Sequence, residues 1–397
     1  MSMTATAATP HPVPEASELI ERARALAPVL RARSADAEPL KQCPRETIDD
    51  MMAAGLHRVV QPKRYGGYGM DWDVLCEAAM ELGQGCGGQA WAVTVLCDHP
   101  CIAGMFSKQA QDDIWADDPD ILVSTSYAPR GTVRTVDGGY VLNGKWMFSS
   151  GIIHSGWTIL GGFVESDDGN RQHHFFLVPA SDRKILDDWN VMGMASSGSQ
   201  SFLLEDVFVP EHRAIDASRV IAGDPPGASV NDEPLHRMPI IGFTGTVLVS
   251  VIVGVAIGMV RDFEIMVKQA SKAVPVRAGL DELLLRAAEA DAEMQCAKLL
   301  VLHSARENMA KLRAGHRLDE GDAARTARNS AYVARLAKQA ATRLFEVTGG
   351  GGLSLSSHFQ RAFRDVYGGA AHITLSWGQC ADRYGNHLIG RQTNMRF

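Results

Sequence analysis

One stretch constrains the folding of this chain more than any other: residues 238–260 carry no charge and are bounded by Arg237 and Arg261. Its length would let it cross a bilayer. It would equally suit a helix buried on all sides within a bundle or a subunit interface. The buried helix is the preferred reading. Pro239 opens the segment, Thr244, Thr246 and Ser250 interrupt it, and the helical pattern runs on into the charged residues 261–272. On that reading no membrane is expected, and the helix needs apolar partners all round, which implies an oligomer.

Around this segment the chain falls into three parts. Residues 15–33, 45–54, 71–82 and 89–106 have helical composition or apolar spacing, with Gly55 as a C-cap and Gly66-Gly67-Tyr68-Gly69 as a loop. Near Asp120 the pattern changes to short strands. Residues 132–136 and 140–142 flank Asp137-Gly138-Gly139 as a hairpin, and 158–164, 175–178 and 201–209 are further strands. After a Pro/Gly/Asp-rich connector, 242–270, 280–313, 320–347 and about 367–384 read as helices. The class is therefore α+β: an N-terminal helical domain (1–119), a small central β domain (120–222) and a C-terminal helical bundle (223–397).

Several functions are disfavoured. A net charge of −7 with no basic stripe argues against nucleic acid. No Gly-x-Gly-x-x-Gly follows a strand, so a resident NAD(P)H site is not expected. Cys97-x-His99-x-Cys101 has no second ligand pair at metal spacing, so no metal is expected. The odd number of scattered cysteines fits reduced thiols in the cytoplasm, and residues 1–13 read as a tail, not a signal peptide. His173-His174 reads as part of a solvated turn.

Four patches, in order, resemble the acyl-CoA dehydrogenase superfamily: HRVVQPKRYGGYGMD, DGGYVLNGKWMFSSG, MGMASSGSQSFLLEDVFVP and RLFEVTGGGGLSLSSHFQRAFRDVYGGAAHI. The resemblance implies that family's fold, with a β barrel or sandwich at its centre, and a homotetramer. It departs at one position. Where common dehydrogenases carry a glutamate base, this chain has Gly368, which cannot accept a proton. Phe148-Ser149-Ser150-Gly151 followed by His154 and Trp157, together with His99 and His372, instead resembles the oxygenase components of two-component aromatic hydroxylases. That resemblance implies reduced FMN or FAD delivered by a separate NAD(P)H-dependent reductase, with O2 as co-substrate. A C4a-hydroperoxyflavin would then hydroxylate a small phenol or indole-like aromatic. Three alternatives stand beside it: a dehydrogenase with a displaced base, a sulfur or nitrogen oxygenase of the same fold, and a flavin-binding or membrane-associated scaffold.

The resemblance assigns roles residue by residue. Ser150 contacts flavin N5, unless it bonds a neighbouring backbone group; Ser149 would point the other way on a strand. His372 lies beside C4a as a proton donor or charge stabiliser, with Gly368 and Gly369 clearing space, or else is a helix histidine on a carbonyl. His99 grips the substrate hydroxyl or is a part-buried helix histidine. Ser124 or Ser126 assists at the flavin or the substrate, Trp91 walls the pocket, and Trp157 belongs to the flavin patch. Gly349, Gly350 and Gly351 offer backbone N–H groups to phosphate, and Arg277 would reach a neighbouring subunit's cofactor.

Overall fold

The computed structural model describes residues 12–165, 169–240, 243–273 and 280–391. Arg277, a candidate cofactor residue, lies outside them. Five helices come first: α1 (Ala16–Leu40), α2 (Arg45–Ala53), α3 (Trp72–Gly83), α4 (Gly87–Ala103) and α5 (Lys108–Trp115). Gly55 ends α2 in the left-handed region at φ +73°, where a Cβ would also lie 2.6 Å from the Tyr68 hydroxyl. The short α5 buries Ala110, Gln111, Ile114 and Trp115 on one face, and Ser107 caps it by accepting the Ala110 N–H. His57 and Arg58 both hold the Asp120 carboxylate, His57 at 2.7 Å, and so fix the chain where it enters the first strand.

Eight strands follow: β1 (Val123–Pro129), β2 (Thr132–Val136), β3 (Gly139–Trp146), β4 (Trp157–Glu165), β5 (Arg171–Pro179), β6 (Lys184–Ile185), β7 (Phe202–Pro210) and β8 (Ala214–Asp216). They form two four-stranded sheets, β1-β4-β5-β8 and β2-β3-β7-β6, in which only β1–β4 is parallel. Leu142, Trp146, Leu160, Phe176 and Phe202, drawn from both sheets, are fully buried in one core. The expected hairpin joins β2 to β3 at Asp137-Gly138, with Gly138 at φ +74°. Two local expectations fail. His173-His174 lies within β5, not in a turn, and the His173 ring packs 4.9 Å from Phe175. Ser149 and Ser150 lie in a turn after β3 and not on a strand.

The last part comprises α6 (Ala217–Ile221), α7 (Thr244–Ala273), α8 (Leu280–Arg313), α9 (Glu320–Phe345), α10 (Gly349–Leu353), α11 (His358–Ala370) and α12 (Trp377–Leu388). A capping box between Asp319 and Asp322 starts α9. The single helix expected over 367–384 is broken: α11 ends at Ala370, and a 3-10 turn at Ile373–Leu375 separates it from α12.

The apolar segment becomes α7, which is long and apolar enough to cross a membrane by composition but is mostly buried within the chain. It packs against α3, α4, α8, α9 and α11. Its partners are therefore intramolecular, and the inference from this helix to an oligomer does not hold. Two glycines bring α7 close to α3. A Cβ at Gly254 would lie 2.2 Å from the Met80 carbonyl oxygen, and one at Gly258 2.8 Å from that of Gln84. Gly254→Ala should therefore cost roughly 1–3 kcal/mol through overpacking, despite a gain of about 1 kcal/mol in helix propensity. Urea denaturation should show a larger loss for Gly254→Ala than for Gly258→Ala. Unchanged midpoints would mean that α3 moves aside at no cost.

Candidate functional site

Every residue of α4 is buried, and one of its faces carries the candidate chemistry. Residues 91, 94 and 98 recur at helical spacing, and His99 is next to the last of them. At one end, Trp91 Nε1–H donates to Ser150 Oγ at 3.1 Å. Ser150 Oγ lies 2.7 Å from Ser199 Oγ, which is 2.8 Å from Ser197 Oγ. The Trp91 and His372 rings are 6.0 Å apart, inclined at 53°. Trp91, Ser150 and His372 thus meet, although they come from α4, the turn after β3 and the segment after α11.

The Ser150 turn is built tightly. Ser149 N–H donates to the Gln200 carbonyl at 3.2 Å and Gly151 N–H to that of Ser197 at 3.1 Å. Phe148 sits in the left-handed region at φ +61° with 66% of its surface exposed, a strained position for a bulky residue. Arg183 clamps the following residues through Nη2, which donates to the Ile152 carbonyl and to Ser155 Oγ, both at 3.0 Å. Burial pushes its guanidinium down to about 10. Ser149 Oγ is fully buried with no hydrogen-bond partner among the described residues.

His372 caps the 3-10 turn. Its Nδ1 accepts the Thr374 N–H at 3.3 Å and lies 2.9 Å from Thr374 Oγ1. Nδ1 is therefore an acceptor, and the proton of the neutral ring is on Nε2. Burial pushes the ring down to about 4, so it is neutral at pH 7. The adjacent glycines do not open space for it. A Cβ at Gly368 would meet the Gly193 backbone at 3.2 Å, and one at Gly369 the Met194 Cε at 2.7 Å. They let α11 pack directly on that loop.

At the other end of the face, His99 is buried with both ring nitrogens engaged. Nδ1 lies 2.9 Å from the Val123 carbonyl, so it must donate; Nε2, 2.9 Å from Thr125 Oγ1, must then accept. Burial pushes this ring down to about 3. His99 thus has no free nitrogen with which to grip a substrate unless Thr125 gives way. Thr125 was missed in the sequence, where its flanking serines drew notice. Strand alternation points Thr125 toward α4 and turns Ser124 and Ser126 to the other face. There Ser124 Oγ pairs with Thr158 Oγ1 at 2.8 Å and Ser126 Oγ donates to the Met147 carbonyl at 2.8 Å.

The other candidates lie apart. Trp157 makes no ring contact or hydrogen bond with Trp91, Ser150 or His372, and the Arg213 guanidinium covers its ring at 4.8 Å. Gly349, Gly350 and Gly351 are exposed in α10 with open space beside each of them. Among the described residues no cluster of His, Cys, Asp and Glu could hold a metal ion. All seven cysteines are free, and only Cys296 is exposed.

Residues 14–115 match the acyl-CoA dehydrogenase N-terminal domain, and residues 246–377 match an acyl-CoA dehydrogenase C-terminal domain. The chain is 32% identical over 374 residues to the oxygenase subunit HsaA of a flavin-dependent monooxygenase from Rhodococcus jostii, covering 94% of this chain and 98% of that protein. It is 32% identical over 378 residues to the oxygenase component of p-hydroxyphenylacetate 3-hydroxylase from Acinetobacter baumannii, covering 94% and 89%. The crystal structure of 3-HSA hydroxylase from Rhodococcus sp. RHA1 superposes with a TM-score of 0.91 at 31% identity, covering 95% of this chain and 98% of that one.

The buried histidines set a pH dependence. An unfolded His99 takes up a proton near the ordinary histidine value, whereas the folded one does so only at about 3. Its contribution is thus complete above about pH 6.5 and is lost as pH falls through the window below. His173, His236 and His372, each pushed down to about 4, act in the same direction. His99→Gln should flatten the stability slope by roughly 1.4 kcal/mol per pH unit between about pH 4 and 6, read from urea midpoints. Equal slopes in both proteins would mean that folded His99 is already protonated there.

Proposed function

The chain belongs to the acyl-CoA dehydrogenase family and, within it, to the oxygenase components of flavin-dependent monooxygenases; from that premise we propose that it hydroxylates a small phenol or indole-like aromatic, using reduced FMN or FAD delivered by a separate reductase. The observation that supports this reading is the meeting of Trp91, Ser150 and His372 in a chain that has Gly368 where dehydrogenases carry their glutamate base. When bound, reduced flavin activates O2 for transfer to the ring.

The residues fit that group. Ser150 Oγ has one hydrogen and two lone pairs. Trp91 occupies one lone pair, and with the hydrogen directed to Ser199 the other is free to accept the flavin N5–H. Neutral His372 offers its Nε2–H as a donor to developing negative charge. Buried Trp91 supplies aromatic surface that excludes water. His99 and Thr125 hold a hydrogen-bonded pair into which a substrate hydroxyl can insert. We further propose a cytoplasmic homotetramer. The reading is supported by exposed Leu284, Leu285 and Leu299 on α8, by Leu353 and Leu355 beside the open glycine run, and by the free cysteines.

Purified protein mixed anaerobically with reduced FMN or FAD, then with O2 and a phenol, should slow flavin reoxidation below the free-flavin rate and yield a catechol. Reduction of bound flavin by an acyl-CoA would overturn the reading. His372→Ala should lower the ratio of hydroxylated product to H2O2 about tenfold or more while flavin binding changes less; an unchanged ratio removes His372. Ser150→Ala should speed H2O2 release, because the N5 proton loses its acceptor, and a Ser149→Ala effect in its place would assign the other serine.

A further inference from the structure

Midway along the functional face of α4, two buried polar atoms have no use in the mechanism above. Asp98 is 3% exposed and Thr94 1% exposed. Asp98 Oδ1 and Thr94 Oγ1 both lack a hydrogen-bond partner among the described residues. Native proteins seldom leave such atoms unpaired, and a buried carboxyl without a partner is among the costlier cases. A helix threonine ordinarily satisfies itself on the carbonyl four residues back, which Thr94 does not do. Among the described residues no Lys or Arg pairs with Asp98. His99 Nε2 lies 3.3 Å from Asp98 Oδ1, but its lone pair is already committed to Thr125.

The surroundings define the place further. Asp98 lies one turn beyond Thr94 and two beyond Trp91, so the face that meets Ser150 and His372 runs directly to it. Asp98 Oδ1 lies 3.3 Å from His99 Nε2, and the His99 ring in turn meets the Tyr127 ring of β1 edge-on at 6.3 Å. While Thr125 keeps its bond to His99 Nε2, the open acceptor beside His99 for an O–H or N–H donor is Asp98 Oδ1. A carboxyl oxygen accepts in either protonation state.

We propose that Asp98, with Thr94 beside it, is a recognition group for the substrate, accepting a hydrogen bond from a hydroxyl or ring N–H and so restricting turnover to aromatics that carry such a donor. This rests on the monooxygenase reading. Asp98 is a specificity-determining residue here, retained at the expense of folding stability, as buried polar groups in binding sites are.

The test uses phenol and anisole, which share a ring but differ in the donor, titrated into the full-length protein by calorimetry, with thermal unfolding of the protein alone as a second readout. Wild type should bind phenol at least tenfold more tightly than anisole. Asp98→Leu should bring the two within about twofold and raise the unfolding temperature, because an unpaired buried carboxyl is replaced by an apolar group of similar size. If Leu is not accommodated, Asp98→Ala should abolish the preference equally. A preference that survives either substitution, or an Asp98→Leu protein that folds but unfolds at a lower temperature, overturns the proposal. In that case Asp98 is held by an internal water and serves the fold. Wild type that binds both rings equally while still slowing flavin reoxidation defeats the Asp98 assignment alone. Wild type that leaves reoxidation at the free-flavin rate defeats the reading beneath it.

Discussion

The site depends on how closely the first turn of α4 is gripped. A Cβ at Gly87 would lie 2.8 Å from the Asp365 carboxylate, and one at Gly88 2.4 Å from Ser196 Oγ. The same carboxylate accepts the Met194 N–H at 2.6 Å, and a Cβ at Gly193 would meet the Arg364 carbonyl at 2.1 Å. One junction therefore joins α4, the loop at 193–199 and α11. Each carries part of the candidate site: α4 carries Trp91 and His99, the loop carries Ser197 and Ser199, which brace the Ser150 turn, and α11 leads into His372. Burial raises the Asp365 carboxyl to about 6 even with that backbone donor. Its place beside the positive end of α4 offsets part of this cost. Shifting the junction by an ångström would misalign all three groups together.

This arrangement explains which parts of the site could be read from the sequence. Helix and strand order was legible because apolar periodicity, the Gly55 cap and the Asp137-Gly138 turn are local signals. The meeting of Trp91, Ser150 and His372 was not legible from periodicity at all and came only through the family resemblance. Gly368 and Gly369 show the limit most plainly. A glycine can open a space or let two backbones touch, and the sequence does not say which; here the loop at Gly193 and Met194 fills the room. Thr125 was overlooked for a related reason. Strand alternation fixes that it opposes its neighbours, but only the position of α4 fixes which face is inside. The break before α12 was hidden because Tyr367 to Tyr384 lacks a proline, and its local signal is only His372, which caps the start of the 3-10 turn that follows α11.

Position 277 and the glycine run belong to a different case. Gly349 to Gly351 stand open on the surface of a single chain, so contacts within one subunit give them no role. The apolar helix gave the opposite lesson: α7 seemed to demand a neighbour and finds all its partners at home.

The proton inventory of the interior bears on how such a site can tolerate oxygen chemistry. Early loss of H2O2 requires a proton to move near flavin N5. His99 and His372, the two candidate histidines, are neutral at pH 7, held there by burial. Arg183, the partly buried cation near the turn, directs its Nη2 to carbonyl and hydroxyl oxygens. The hydroxyl chain from Ser150 through Ser199 ends at Ser197, which is 1% exposed, and so does not open to solvent. A proton on N5 would thus have a hydrogen-bond acceptor but no exit along this chain. The neutral Nε2–H of His372 could stabilise charge by hydrogen bonding without being acidic enough to release its proton readily. The same burial that costs stability in acid would, with a flavin bound at Ser150, keep these two rings from supplying a proton there.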